Sequence, residues 1–343
     1  MKKYIKDILK LVIFLALGVF FIWLSLKDLT QKQIDEIWQS AANVLTDNRW
    51  LYLVLCALIG FISVIIRAIR SVLMIEPLGY KVSKSVSYHA VMICYLANMA
   101  ITRLGEVLRC SVLQRYEKVP FEKSLGTVIT ERVIDTLIFG LMMLATFFLE
   151  YDKIMQYLTT NGVKENVLAM LSGSGKYILL SSVVLFLLIL WLLRKKIKQL
   201  SVYQKIIKLL KGFWEGLISI RYIRKKWLFI LYSFSIWLCY YLMFFAAVFA
   251  FDDLRALGGE IALASLSCVA IGTIGFAVAQ GGLGAYPLLV SGVLLLYGIN
   301  KEVGLAAGWV IWATEEVMYV VLGLVSLAII AIKKSEKKEQ LQT

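Results

Sequence analysis

YLANMAITRLGEVLRCSVLQRYEKVPFEKSLGTVITERVID, residues 95–135, decides how this chain folds. It places Arg103, Glu106, Arg109, Glu131, Arg132 and Asp135 inside or beside segments otherwise apolar enough to enter a bilayer. An ionisable side chain at membrane depth costs about 2.5–3.5 kcal/mol even on the most forgiving scale. Six left unpaired would cost about 15–20 kcal/mol, more than the ~5–15 kcal/mol that holds a typical protein folded. These groups must therefore pair with one another or line a wet cavity.

The surroundings make the bilayer argument general. The 343 residues are 60% hydrophobic and only 17% charged, with a mean hydropathy of +0.78, and the apolar runs reach spanning length. The fold class is an all-α integral membrane protein. A formal net charge of +14 would suggest nucleic acid in a soluble chain. Here the Lys and Arg sit mainly in short connections, where the positive-inside rule and anionic inner-leaflet lipid account for them, and no nucleic acid is expected. Cys56, Cys94, Cys110, Cys239 and Cys268 lie in apolar stretches without CxxC spacing, as buried thiols do. His89 is the only histidine, which leaves no multi-histidine metal site and no Ser/His or Cys/His catalytic group beyond it. No cofactor and no metal is expected.

Outward from the central stretch, residues 11–26 read as a retained first span after Lys2, Lys3, Lys6 and Lys10, which places the N-terminus in the cytoplasm. Residues 29–48 carry Ile34, Ile37, Trp38, Ala41 and Leu45 at helical spacing and read as an outer-surface helix. Residues 50–66 form a second span, with Arg67, Arg70, Lys81 and Lys84 as the cytoplasmic return. Residues 86–115 form an apolar hairpin broken at Leu104-Gly105, and residues 124–149 a third span entered at Pro120. Residues 177–193 are a fourth span, and the connection 194–226 is strongly basic, with an amphipathic pattern in Ile206, Leu209, Leu210, Phe213 and Trp214. Residues 227–251 are a fifth span, residues 261–298 a second broken hairpin, and residues 303–332 a last span running into the basic tail 333–343. The chain 1–343 thus reads as one membrane domain of about six full spans plus two broken or re-entrant hairpins. Its halves, 11–149 and 177–332, would be joined by a basic cytoplasmic connection. The expected address is the cell membrane, multi-pass, with both termini cytoplasmic; a homo-oligomer is left open.

The halves share a pattern: a span, a hairpin broken at Leu-Gly (Leu104-Gly105, Leu283-Gly284), then a long span with Thr-Glu-x-Val at 130–133 and 314–317. Three crossings separate the second span from the fifth, so the halves would form an inverted repeat. Paired interrupted helices in inverted halves point to a transporter's midplane site. The glycines Gly281, Gly282 and Gly284 would leave N–H groups free at a helix start, a place for an anion such as phosphate, or would simply permit close packing. Arg103, Glu106, Arg109 and Arg132 are the other candidate binding residues. Glu131, Asp135, Glu315 and Glu316 form a charge network or carry protons. One reading sets Arg103, Arg109 and Arg132 against Glu106, Glu131 and Asp135; Glu315 and Glu316 then leave the midplane at −2, to be met by protons or by an arginine from the first half.

Arg103-Leu-Gly-Glu106-Val-Leu-Arg109, followed by Glu131-Arg132-Val-Ile-Asp135, resembles the lysylphosphatidylglycerol synthase/flippase transmembrane family, the flippase half of the multiple peptide resistance factor and its standalone relatives. The resemblance implies a membrane phospholipid or lipid-linked substrate moved between leaflets. Where that family typically shows Pro-Gly-Gly-x-Gly-x-x-Glu, this chain has Gln280 for the proline and Pro287 for the glutamate. No GxxxxGK[ST] loop is present, so a transporter driven by a gradient is expected rather than an ATPase or other enzyme. The alternative is a membrane-embedded transferase or hydrolase using Glu106, Glu131 or Asp135 as base.

Overall fold

The computed structural model describes residues 18–27, 29–46, 48–101, 103–160 and 223–339. Helix α1 covers residues 18–26. The helices that follow are α2 (Gln31–Asn43), α3 (Trp50–Ile75), α4 (Lys84–Ala100), α5 (Leu104–Glu117), α6 (Phe121–Leu149), α7 (Tyr151–Thr160), α8 (Lys226–Val248), α9 (Asp252–Arg255), α10 (Ile261–Val278), α11 (Ala285–Leu295) and α12 (Lys301–Glu339). The described residues contain no strand, and the chain is an all-α membrane protein. Five segments among them are long and apolar enough to cross a membrane: Trp50–Leu78, Phe121–Leu149, Lys226–Val248, Gly258–Val278 and Lys301–Ile332. The fourth span, the amphipathic pattern and almost all of the basic connection lie outside the described residues, as does the start of the first span.

Local chemistry sets the boundaries. Thr30 caps α2 with a full capping box, its hydroxyl accepting from the Gln33 N–H while the Gln33 side chain accepts from the Thr30 N–H. Pro120 stands at the N-cap of α6, where its missing N–H costs nothing. Helix α3 runs well past Ile66 to Ile75, because nothing in Arg67-Ala-Ile-Arg70-Ser-Val-Leu-Met-Ile75 breaks it before the turn at Glu76-Pro77-Leu78. Arg67 and Arg70 are therefore not a connecting loop's charges, as sequence reading places them; they are buried within a helix.

Helices α4 and α5 pack on each other as one hairpin, and α10 and α11 as the other. Each is drawn tight by a glycine: a Cβ on Gly105 would overlap the Cys94 carbonyl oxygen, and one on Gly275 would lie 2.7 Å from the Tyr286 nitrogen. The first break falls at Ile101 and Arg103, with Arg103 in the left-handed region at φ +66°, immediately before the expected Leu104-Gly105. The second covers Gln280–Gly282 and Leu283.

The hairpins open at opposite ends of α3. Val72 and Ile75, at its C-terminal end, share a buried cluster with Val82, Leu113 and Val119 from the open end of the first hairpin. Tyr52 and Leu53, at its N-terminal end, pack on a cluster holding Val44, Phe251, Leu254, Ile261, Tyr297 and Ile299, from the open end of the second. Arg49 closes that end with a 2.7 Å ion pair to Asp252.

Candidate functional site

Arg67 and Arg70 are three residues apart on α3, and Glu131 and Asp135 four apart on α6, so each pair shares a helical face. The two faces meet. Arg70 Nη1 donates to Asp135 Oδ1 at 2.6 Å and Arg70 Nη2 to Asp135 Oδ2 at 3.1 Å, while Arg67 Nη1 donates to Asp135 Oδ2 at 2.9 Å. From α5, Arg109 grips Glu131 through two parallel bonds of 2.9 and 2.8 Å, the bidentate geometry a planar guanidinium favours. Arg70 is fully buried and Glu131 is 1% exposed. Burying such charges costs several kcal/mol per ion and is tolerated only with hydrogen bonds as good as these. Neutral groups extend the set: Arg67 donates to the Tyr240 hydroxyl at 2.9 Å and Arg70 to the Ser233 hydroxyl at 3.1 Å. Tyr95, whose hydroxyl is 3.4 Å from that of Tyr240, stacks on Tyr319 of α12 with ring centres 4.5 Å apart.

A second, more open ion pair lies beside the first. Arg132 Nη2 donates to Glu106 Oε1 at 2.9 Å, and the Arg132 side chain is half exposed at 52%. Asn98, at the end of α4, donates to the same Glu106 oxygen at 3.4 Å and accepts from the Gly105 N–H at 2.8 Å, tying α4 to α5 across the break. Arg103 projects from this tip; it is exposed and has no partner among the described residues.

The tips of the two hairpins touch. Gln280 Nε2 donates to the carbonyls of Asn98 and Met99 at 2.5 and 3.0 Å, satisfying acceptors that the end of α4 leaves open. Trp312 of α12 in turn donates to the Gly281 carbonyl at 2.7 Å. Glu316, buried on the next turn of α12, has a carboxylate oxygen, Oε2, with no hydrogen-bond partner.

Most of the expected charged residues lie around one junction, but their pairing differs from the expected one. The set is not three arginines against three acids: Arg103 stands outside it, and Arg67 and Arg70 take its place opposite Asp135. Glu106 pairs with Arg132 and Arg109 with Glu131. Adding Arg67 and Arg70 gives Arg67, Arg70, Arg103, Arg109 and Arg132 against Glu106, Glu131, Asp135, Glu315 and Glu316, so the formal balance of those ten groups is zero rather than −2. No arginine pairs with Glu315 or Glu316 among the described residues. Around Gly284, close packing is what the geometry shows, since an added Cβ would lie 2.7 Å from the Ile22 nitrogen and 2.9 Å from the Gly18 carbonyl oxygen, both on α1. All five cysteines are free and buried.

Sequence reasoning missed Arg67, Arg70, Asn98 and the contact made by Gln280. The i, i+3 spacing of Arg67 and Arg70, matched to the i, i+4 acids of α6, was the signal available for the arginines.

Comparison with known proteins rests on one family model, described as the lysylphosphatidylglycerol synthase TM region, which matches residues 8–323. Neither curated proteins nor solved structures gave a match. A match of that extent establishes that the chain belongs to the lysylphosphatidylglycerol synthase transmembrane family.

Proposed function

We propose that the chain is a lipid flippase, moving a lipid with a polar, phosphate-bearing headgroup between leaflets through the junction of its two hairpins. The observation that carries this is the contact of Gln280 with the Asn98 and Met99 carbonyls, which brings both helix breaks together beside the unpaired Arg103 and the half-exposed Arg132. A guanidinium without a carboxylate partner is a phosphate ligand in waiting, able to grip two oxygens at once. Irregular backbone is tolerated at membrane depth only where protein or a wet cavity satisfies it. Hairpins opening at opposite ends of α3 fit an inverted repeat with its site at the midplane. The placement is the cell membrane with both termini cytoplasmic, the anionic inner leaflet meeting the basic connections.

Transport is favoured over transferase or hydrolase chemistry with Glu131 or Asp135 as base because both are occupied, which leaves Glu106, with Oε2 unbonded, as the acid such chemistry would have to use. Glu131 and Asp135 accept from two or three guanidinium nitrogens each. Glu316, with its free oxygen beside the junction, is the acid placed to exchange a proton with the site, in reach of Glu315 on its own helix.

Purified protein in vesicles holding headgroup-labelled phosphatidylglycerol tests this. Movement of label to the opposite leaflet, with the lipid chemically unchanged by mass spectrometry, supports it. A chemically altered lipid without movement replaces it with the enzyme reading.

A further inference from the structure

A second cavity lies away from the charge network. Thr146 and Glu150 line it from the end of α6, and they sit eleven residues or more beyond Asp135, about 16 Å along the helix axis. Its volume is about 350 Å³, and Ser267 and Ile271 of α10 with Leu288 and Gly292 of α11 form its other walls. That size is at the lower end of the range of about 300–1,000 Å³ for small-molecule sites, which are mostly apolar with a few convergent polar groups.

The polar groups here are of a telling kind. Glu150 is 4% exposed and Thr146 6% exposed; Glu150 Oε1 and Thr146 Oγ1 have no hydrogen-bond partner. Tyr297 donates a hydrogen bond to the Glu150 carboxylate, and its hydroxyl is 3.4 Å from that of Ser267. Burial, with the neighbouring Glu150 carboxylate, raises the Tyr297 phenol above its ordinary pKa, so it stays a donor. The charged groups at the rim are Lys153, whose Nζ lies 3.8 Å over the Tyr297 ring, and Glu260, 2.6 Å from that Nζ. These two neutralise one another, and Glu150, bonded by Tyr297 through one side of its carboxylate, keeps Oε1 without a donor among the described residues.

A buried acceptor without a donor costs the desolvation of that group, and a carboxylate is the costliest acceptor to leave unpaired. What would satisfy it is a cation with several N–H donors and an apolar body to cover the walls. We infer that this cavity is a binding site for the ammonium end of an amphiphile, with Glu150 accepting from the ammonium, the hydroxyls of Thr146 and Ser267 accepting beside it, and Ile271 and Leu288 covering the chain. The same chemistry is offered by a free alkylamine and by the headgroup of an aminolipid. The assignment is independent of the flippase reading, since it uses none of the residues at the hairpin junction.

The test is calorimetric titration of hexylamine into the full chain in neutral maltoside micelles, with 1-hexanol as the uncharged match. Hexylamine should bind saturably and 1-hexanol at least about tenfold more weakly, because charge-assisted hydrogen bonds exceed neutral ones. Glu150→Gln keeps the shape and should weaken hexylamine by about tenfold or more. Gly292→Leu should abolish binding by filling the cavity; a Cβ there meets nothing within 4 Å, so the helix itself tolerates the change. Phosphatidylethanolamine added to the micelles should compete if a lipid amine is the occupant, and fail to compete if a free amine is. Equal binding of hexylamine and 1-hexanol, no hexylamine binding by the parent, or parent-level binding in Gly292→Leu would overturn the assignment. Should Glu150→Gln not fold, Thr146→Val, which removes an acceptor, and Gly292→Leu, which removes the space, decide the question in its place.

Discussion

Replacing Asp135 by Asn isolates the energetics of the buried network. The carboxylate accepts from Arg67 at 2.9 Å and from Arg70 at 2.6 and 3.1 Å. A carboxamide offers one oxygen, carries no charge and turns its amide nitrogen, a donor, toward one guanidinium. Counting Arg67, Arg70 and Arg109 against Glu131 and Asp135, the buried set goes from a formal +1 to +2. Removing one member of a buried ion pair costs about 3–5 kcal/mol. Arg67 keeps the Tyr240 hydroxyl, and Arg70 keeps Ser233 and an approach of 3.8 Å to Glu131, which limits the loss to that range. Unfolding in detergent titrated with a denaturing surfactant should therefore place Asp135→Asn about 3–5 kcal/mol below the parent. The combined variant Arg67→Met, Arg70→Met, Asp135→Leu leaves only the neutral Arg109–Glu131 pair and replaces the rest with apolar volume, a change often neutral or stabilising. It should be more stable than Asp135→Asn alone despite carrying three substitutions. If Asp135→Asn unfolds with the parent, or the triple variant is the weaker, the arginines are solvated and the buried-charge argument fails.

Other expectations follow from the same geometry. Arg103→Ala should abolish lipid movement in vesicles, whereas Lys205→Ala or Lys208→Ala should leave most of it; equal losses would indicate a purely surface-electrostatic role. Gln280→Ala, which removes two neutral hydrogen bonds of roughly 0.5–1.5 kcal/mol each, should change transport rate more than unfolding stability, read from the two assays side by side. Proton exchange on lipid binding, followed by a pH indicator, should shrink in Glu316→Gln; an unchanged signal would make that carboxyl structural. Cysteine labelling near Lys118 from the inside and near Lys301 from the outside should succeed, and the reverse pattern would invert the proposed topology.

The all-α membrane fold and the five spanning segments among the described residues were legible because a bilayer imposes length and hydropathy on every crossing helix. The gathering of Glu106, Arg109, Glu131, Arg132 and Asp135 was legible for the same reason, since unpaired charge at depth is prohibitive. Which cation meets which acid was not. Arg67 and Arg70 lie more than sixty residues from Asp135, and at the end of an apolar run they look like the charges that anchor a span in the cytoplasm. Only the continuation of α3 to Ile75 turns them inward. The first break falls just ahead of Leu104-Gly105 because Gly105 marks close packing against α4, while the left-handed residue that makes the turn is Arg103. The contact made by Gln280 was beyond reach in principle, since it is read by two backbone carbonyls whose direction no residue type records.

The strengths of these contacts say where an opening motion has to occur. Three buried guanidinium–carboxylate pairs bind α3, α5 and α6 into one body: Arg67 and Arg70 with Asp135, and Arg109 with Glu131. Separating any of them exposes charge to low dielectric, at about 3–5 kcal/mol for each partner left alone. At its tip, the first hairpin meets the second through the neutral hydrogen bonds of Gln280, and α4 meets α12 through the stacked rings of Tyr95 and Tyr319, a hydrogen bond between His89 and Ser326, and the apolar contacts of Val91 and Met92 with Met318. Parting these contacts breaks neutral hydrogen bonds, an aromatic pair and apolar packing, and no carboxylate–guanidinium pair among the described residues is separated. In the proposed flippase, a rearrangement that admitted a headgroup to Arg103 and Arg132 would therefore part the hairpin tips while the arginine-bound helices moved as a unit. The proline that the family typically carries at the position of Gln280 has no side-chain donor to make this contact. In this chain the energy that holds the junction shut is consequently set in part by one amide, a term that substitution at position 280 adjusts without touching the buried charges.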